Sequence, residues 1–259
     1  MSVKPARTVR FQDVLIYEYP EGASKPVNHL VLSFPDTGLV SSIIGRHLVV
    51  HEGFKLAGEV DLPQLHSISV VHDGRALSPV QIYRLESRSV MLVLSEVPLP
   101  PDATASLIDA VLSYSSSLGV KSILAVTGIA VPNRLDLEKP GVFVLPIGEW
   151  IDISRLQVEE LKEGFITGAY ATLIREAKKR SLNALVIFVE SFYDIPDPES
   201  AAIGLQVLSR IIGFEVSVDK LLEEAEALKL RLRDLMRQTR DAMSRTSKDL
   251  EARMPLMYT

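Results

Sequence analysis

The chain has 259 residues, of which 47% are hydrophobic and 24% charged, so it can bury a folded core and is not disordered over most of its length. Its 28 basic and 33 acidic residues give a net charge of −5, which provides no basic surface for nucleic acid or an anionic membrane. It contains no cysteine, which excludes disulfides, thiol nucleophiles and cysteine-ligated zinc.

The amino terminus and the hydropathy pattern favour a cytoplasmic protein. Residues Met1–Arg10 are polar and lack the apolar stretch of a signal peptide. No segment approaches the roughly 18 uninterrupted apolar residues of a membrane span. Only three Asn and six Gln accompany the missing Cys, a composition that favours a thermophilic source.

Short apolar runs alternate with helical patterns over residues 11–213. The runs are rich in Val, Ile and Leu and mostly do not alternate with polar residues, which is typical of strands covered on both faces. Strands are predicted at Val14–Tyr17, Leu30–Phe34, Val90–Leu94, Ile123–Val126 and Leu185–Val189. Helices are predicted over Leu39–His51, Ala103–Leu118, Thr167–Arg180 and from Pro198, with Asp197 as the N-cap. Because strands and helices alternate, an α/β fold is predicted, a central sheet flanked by helices, with a β-rich edge over Phe54–Glu86.

The composition changes after Gly213, since residues Phe214–Met254 contain neither Gly nor Pro. Apolar residues recur there at a period of 3.5, as in a coiled-coil heptad seam, at Val218, Leu221, Ala225, Leu228, Leu232 and Leu235. A continuous helix over Val218–Arg253 would span roughly 54 Å, longer than one face of a small domain, so it must project, pair or wrap. We predict a flexible terminus (residues 1–10), an α/β core (11–213), a coiled-coil-like helical stalk (214–254) and a flexible tail (255–259).

The tail is short, uncharged and apolar-aromatic. Pro255 ends the helix, and Leu256, Met257, Tyr258 and Thr259 follow. Exposed apolar side chains at a chain end are unfavourable unless a surface receives them. That surface is either a partner or the domain itself.

Candidates for catalysis or metal binding are few. His47 and His51 lie four residues apart on a predicted helix but lack the Glu of an HExxH motif, so two half-exposed histidines are expected. Carboxylates follow the buried strand at residues 185–189 and could perform acid–base chemistry, although Asp197 is already assigned as a cap. These carboxylates are Glu190, Asp194, Asp197 and Glu199.

Three further features have simple structural interpretations. Residues Gly164–Gly168 precede a helix and could hold an anion, but close backbone packing is favoured. Ser41 and Ser42 could supply a nucleophile, but an exposed first helical turn explains them. Trp150 is expected to anchor packing. The inventory predicts a binding protein rather than an enzyme, with no cofactor and no metal.

Four segments, in this order, resemble the archaeal proteasome assembly chaperone family of the PbaA/PbaB type. They are Phe34–Val40, Gly164–Gly168, Glu190 with Asp197-Pro198, and the heptad helix ending in Met257-Tyr258-Thr259. The last three residues resemble the hydrophobic–tyrosine–any (HbYX) ending of proteasome activators, which makes the chain most similar to PbaB. Asp36 and Ser41 depart from the pattern, because small glycines are common at these places in the family, and this leaves any ligand function of the first loop open.

The resemblance implies a phosphorylase/hydrolase-like core without an established catalytic role and a homo-oligomer, with a tetramer favoured. It further implies that Met257, Tyr258 and Thr259 dock between α subunits of the 20S proteasome, with a paralogous chaperone subunit as a further partner. Two alternatives remain open. One is a hydrolase or nucleoside-processing enzyme with a site near Glu190 and the Phe34–Gly38 loop. The other is an oligomeric scaffold without a proteasome partner.

Overall fold

The computed structural model describes residues 4–20, 26–227, 233–241 and 243–244, and its centre is one ten-stranded mixed sheet. The sheet strands are β1 (Arg7–Phe11), β2 (Val14–Glu18), β3 (His29–Ser33), β4 (Lys55–Asp61), β7 (Val80–Leu85), β8 (Val90–Ser95), β9 (Ser122–Ala130), β10 (Val142–Ile147), β11 (Glu159–Glu160) and β12 (Ala184–Ser191). A separate hairpin consists of β5 (Val70–His72) and β6 (Arg75–Leu77). The helices are α1 (Val40–His51), α2 (Pro101–Ser117), α3 (Gly168–Lys179), α4 (Pro198–Ile212) and α5 (Val218–Ala227).

The four central strands are parallel, in the spatial order β8–β3–β9–β12. Antiparallel strands extend the sheet on one side through β7, β4, β2 and β1, and on the other side β10 pairs antiparallel with β12. Helices α2 and α3 cover one face, and α1, α4 and α5 cover the other. Successive residues of the central strands alternate between two apolar layers. This explains their continuous apolar sequence and confirms the predicted α/β class.

The direction in which strands are added reverses at β3. After β3 the chain forms β4, β7 and β8 in turn, all on one side of β3, whereas β9 lies on its other side. Connections on opposite sides of a sheet separate at such a point and leave a crevice at the carboxyl ends of the strands, where open α/β sheets bind ligands. The topology therefore predicts a ligand site at the loops after β3 and β9.

The strands and helices predicted within residues 11–213 are confirmed, with three differences. Residues 54–86 form strands and turns, but β4 and β7 lie inside the sheet rather than at an edge. The boundary predicted at residues 10–11 falls within β1, which pairs with β2 along its whole length. Helix α1 begins at Val40, because Gly38 and Leu39 have positive φ angles of 61° and 50°.

The described carboxyl-terminal residues wrap against the core. Helix α5 contacts α1 and α4, and Leu221 is fully buried with the apolar side chains of that layer. Met236 is buried there too, and Val218 and Leu235 pack against the same layer. A projecting coiled coil is not seen in the described residues. The predicted seam position Ala225 lies in α5, whereas Leu228 and Leu232 lie outside the described residues.

One buried carboxylate joins three loops at the carboxyl edge of the sheet. Asp197 caps α4, as predicted, by accepting a hydrogen bond from the Ser200 backbone N–H at 3.0 Å. It also accepts from Arg134 Nε at 2.8 Å and from the Phe192 backbone N–H at 3.3 Å. Its own N–H donates to Gly38 O at 2.9 Å. The loops after β3, β9 and β12 are thereby fixed to one residue.

Removing the cation beside Asp197 should strongly destabilise the protein. Arg134 and Asp197 are 4% and 1% exposed, so Arg134→Met leaves a buried carboxylate without its counter-charge and should lower the free energy of unfolding by about 3 kcal/mol. Glu199 also pairs with Arg134, but its side chain is 56% exposed, and Glu199→Gln should cost about 1 kcal/mol or less. Urea denaturation of both variants measures the difference. Equal losses would contradict the role given to Asp197.

Adjacent leucines test the packing of α5. Leu221 is 0% exposed and Leu222 is 40% exposed. Leu221→Ala should lower the free energy of unfolding by about 3 kcal/mol because it leaves a cavity, whereas Leu222→Ala should lower it by less than about 1 kcal/mol. Both are measured by urea denaturation at several protein concentrations. A Leu221→Ala variant as stable as wild type would show that α5 does not belong to the core.

Candidate functional site

A cavity of about 320 Å³ opens at the carboxyl end of the parallel strands. The loop after β3 supplies Asp36 and Thr37, and β9 supplies Thr127. The segment before α3, Glu163–Thr167, forms another wall. The structure therefore joins two features that the sequence presented separately, the Phe34–Gly38 loop and the Gly164–Gly168 segment.

The carboxyl group of Asp36 is the main titratable group of this cavity. Thr127 Oγ1 donates a hydrogen bond of 2.7 Å to Asp36 Oδ2. Burial raises the pKa of Asp36, and hydrogen bonds from Thr127 and Thr37 offset this rise in part. The pKa stays raised because these neutral donors do not replace the hydration of the charged form.

Tyr170 on α3 holds the start of the same loop. Its hydroxyl lies 3.2 Å from the backbone N of Phe34, from which it accepts, and 3.3 Å from Phe34 O, to which it donates. The two rings stack with centroids 6.2 Å apart. Burial, followed by the charge of Asp36, raises the pKa of Tyr170, so the hydroxyl stays protonated and keeps its donor.

Two glycines let the loop after β3 approach the neighbouring strands. A Cβ atom at Gly128 would lie 2.5 Å from Thr37 O, closer than such atoms can approach. A Cβ at Gly38 would meet the side chain of Ser191 on β12, and the φ of Gly38 is +61°. Both positions therefore require glycine, and the floor of the cavity is built from closely packed backbone.

The predicted acidic cluster does not assemble into a catalytic pair. Glu190 Oε2 accepts from the Gly141 backbone N–H at 2.7 Å, and Glu190 does not line the cavity. Asp194 Oδ2 lies 4.0 Å from Arg240 Nη1. Asp197 and Glu199 are engaged with Arg134. Each of the four carboxylates thus has a contact outside the cavity, and none of them lines the cavity beside Asp36.

The His47–His51 pair differs from the expectation of two half-exposed side chains. His47 is fully buried and only His51 is exposed, with ring centroids 4.9 Å apart. Burial, helped by the charges of His51 and Lys220, lowers the pKa of His47 to about 4. Among the described residues, no three His, Asp or Glu side chains are grouped as metal ligands.

Two further expectations are corrected and one is confirmed. Ser41 and Ser42 are buried rather than exposed, because the start of α1 packs on β3, where Ser33 Oγ donates to Ser41 O at 2.8 Å. A Cβ atom at Gly168 would meet nothing within 4 Å, so its φ of +71°, not close packing, calls for glycine. Trp150 anchors packing as expected, with Nε1 donating to Ala184 O at 3.2 Å.

Exposed apolar side chains surround this end of the molecule. They come from the loops after β9 and β12 and from the segment before α3, and they are Leu135 (85% exposed), Phe165 (77%), Tyr193 (49%) and Ile195 (48%). These side chains were not predicted as a group, although apolar residues between turn residues were the available signal in the sequence.

A wider groove of about 990 Å³ lies elsewhere, beside Arg88 before β8 and at the α4–α5 junction. It is open and does not lie at the carboxyl ends of the parallel strands.

None of the described helices has both the length and the apolar character needed to cross a bilayer.

Archaeal proteins are among those similar to this chain. An uncharacterized protein of Methanocaldococcus jannaschii is 24% identical over 221 residues, which cover 85% of this chain and 90% of that protein.

Two solved structures share the fold over almost their whole length. Pyrococcus furiosus PbaA, described as an archaeal homolog of proteasome-assembly chaperone, superposes with a TM-score of 0.76 at 24% identity, covering 89% of this chain and 99% of its own. Pyrococcus furiosus PbaB, described as an archaeal proteasome activator, gives a TM-score of 0.72 at 21% identity, covering 86% and 99%. The expected closer likeness to PbaB stays a prediction.

The family model described as the PAC2 family matches residues 30–236, which include the parallel strands, the cavity and α5. This range is most of the chain and contains three of the four segments on which the resemblance was based. The chain belongs to the PAC2 family.

Proposed function

We propose that this protein is a proteasome assembly chaperone or ATP-independent activator that docks its carboxyl-terminal tails between α subunits of the 20S proteasome. The observation that carries the proposal is the fold, which extends over 99% of PbaA and of PbaB. Both are described by their relation to the proteasome. Membership of the PAC2 family adds support. A cytoplasmic location is part of the proposal.

The tail has the chemistry for such a contact. Met257 can fill an apolar groove between two ring subunits, and Tyr258 adds a large, rigid surface with a hydroxyl that can find a partner. The α-carboxylate after Thr259 can form a charge-assisted hydrogen bond with a lysine in the pocket. These three residues lie outside the described part of the structure, so the support here is their sequence.

Avidity requires several tails on one particle. A single short tail binds weakly, whereas tails displayed together gain a factor of roughly 10²–10⁴ if their spacing matches the pockets. We propose a homo-oligomer, with a tetramer favoured, and a paralogous chaperone subunit as a further partner. The heptad positions stay the predicted interface, although Leu221 is already buried in its own core. An interface formed by α5 would therefore use the exposed side of this helix, which includes Leu222.

Binding rather than catalysis is supported by the separate structural contacts of the acidic residues. A hydrolase or nucleoside-processing enzyme remains the alternative, since Asp36 lines a cavity beside the Phe34–Gly38 loop. It has weaker support because Glu190, near which the enzyme site was predicted, does not line this cavity and accepts from the Gly141 backbone N–H instead.

Shortening or extending the tail should abolish proteasome binding. Deletion of Met257–Thr259 and Tyr258→Ala remove the anchoring side chains, and one additional alanine after Thr259 keeps all side chains but moves the α-carboxylate. Each should reduce capture of 20S particles by at least about tenfold, because several tails lose the same contact at once. Pull-down of 20S proteasome by the purified full-length protein measures this.

The matched control is Tyr193→Ala, which removes an exposed tyrosine from the core and should leave the capture unchanged. Size-exclusion chromatography with light scattering should give the same oligomeric mass for all variants. Full capture of 20S particles by the deletion variant would overturn tail docking. A Tyr193→Ala variant that loses binding as strongly would place the contact on the core instead.

A further inference from the structure

We propose that the cavity beside Asp36 binds a small organic cation, a protonated amine carried on a short apolar or aromatic body. The proposal concerns a site that proteasome binding through the tail does not use. It rests on the charge, the aromatic lining and the size of the cavity, and on its place in the sheet.

The acidic side chains of the lining are not matched by basic ones. Asp36 and Glu163 contribute carboxyl groups, and no Lys, Arg or His is found among the described residues that line the cavity. Arg134, on the loop after β9, is held by Asp197 and Glu199 and is not part of the lining. The amino terminus of α3 adds a partial positive charge of roughly half a unit beside the lining, which is less than the charge of the two carboxylates, so the cavity attracts a cation and disfavours a phosphate or a carboxylate.

Asp36 lacks a positive partner among these lining residues. Its hydrogen bonds come from the neutral hydroxyl of Thr127 and from Thr37, so its negative charge is solvated only in part. An ammonium group brings both a counter-charge and up to three N–H donors to the remaining lone pairs of the carboxylate. The raised pKa of Asp36 agrees with a site that gains most when a cation enters.

Aromatic side chains supply the second half of the recognition. Tyr170 and Phe188 are buried and line the cavity, and Phe165, which is 77% exposed, borders it on the solvent side. Aromatic faces attract ammonium groups and also pack against an apolar ligand body. Phe165 belongs to a loop, so its exposed ring can cover a bound molecule.

The size and position of the cavity restrict the ligand. A volume of about 320 Å³ lies at the lower end of small-molecule sites and is too small for a dinucleotide or a folded partner. The cavity lies at the carboxyl ends of β3 and β9, where the strand order reverses and α/β sheets bind their ligands.

Matched probes test the charge requirement. Tyramine and tyrosol (4-hydroxyphenethyl alcohol) differ only in an ammonium or a hydroxyl group on the same body, and phenyl phosphate carries an anion. Isothermal titration calorimetry with the full-length protein should give a dissociation constant for tyramine at least about tenfold below that for tyrosol, and no binding of phenyl phosphate. In NMR spectra, tyramine should shift the amide signals of Thr37, Thr127 and Thr167.

Two variants assign the effect to the cavity. Asp36→Asn keeps the shape and should weaken tyramine binding at least about tenfold, whereas Asp13→Asn, in the turn between β1 and β2, should leave it unchanged. Thermal unfolding shows whether Asp36→Asn is folded. If it is not, Glu163→Gln decides instead, with an expected loss of about threefold, since Glu163 is exposed and more weakly coupled.

Several results would overturn the proposal. They are equal affinity for tyramine and tyrosol, no binding of tyramine at about 10 mM, binding that survives the deciding variant, and amide shifts confined to other parts of the molecule.

Discussion

The carboxyl edge of the sheet depends on the buried ion pair between Asp197 and Arg134. Three parallel strands, β3, β9 and β12, end beside one another, and each is followed by a loop that leaves the sheet. Asp197 connects all three loops, since it accepts hydrogen bonds from Arg134 and Phe192 and donates its backbone N–H to Gly38 O. The guanidinium also lies over the Phe192 ring at 5.1 Å, so the charge is packed as well as paired. A buried pair of this kind costs desolvation free energy, and it persists where several hydrogen bonds share that cost.

This constraint explains why the acidic residues that suggest catalysis in the sequence make structural hydrogen bonds instead. Loops at the carboxyl edge need acceptors for their backbone N–H groups, and carboxylates are the strongest acceptors available. Glu190 serves Gly141 in this way, and Asp197 serves Ser200. Asp36 differs, because its carboxyl group lines a cavity and, within the described part of the chain, accepts hydrogen bonds from the neutral groups of Thr127 and Thr37. A carboxylate left in this condition inside a rigid frame is a better candidate for ligand binding than a larger cluster whose members are already bound.

Local signals in the sequence predicted the elements, and long-range packing decided the rest. The run at residues 185–189 predicts a buried strand because both faces of β12 are apolar, and Asp197-Pro198 predicts a helix start by cap chemistry alone. The meeting of the Phe34–Gly38 loop with Gly164–Gly168 depends on strand order, which no local pattern encodes. Ser41 and Ser42 are buried because α1 packs on β3, although their polarity favoured exposure. The heptad seam was ambiguous for a related reason, since a coiled coil and a helix packed on its own core both require an apolar stripe.

The packing of α5 also limits how the tail can reach a partner. Because Leu221 and Met236 are buried in the core, the described carboxyl-terminal residues have a defined place on the domain, and Arg240 lies 4.0 Å from Asp194 at the carboxyl edge. Fifteen residues follow Ser244, up to and including Thr259, and whatever their conformation they span at most roughly 54 Å. In an oligomer, the spacing of the tails is therefore set by where the cores place Ser244, with a reach that the covalent chain limits. In the proposed docking, the geometry therefore depends on core packing, even though the chemistry is assigned to the last three residues.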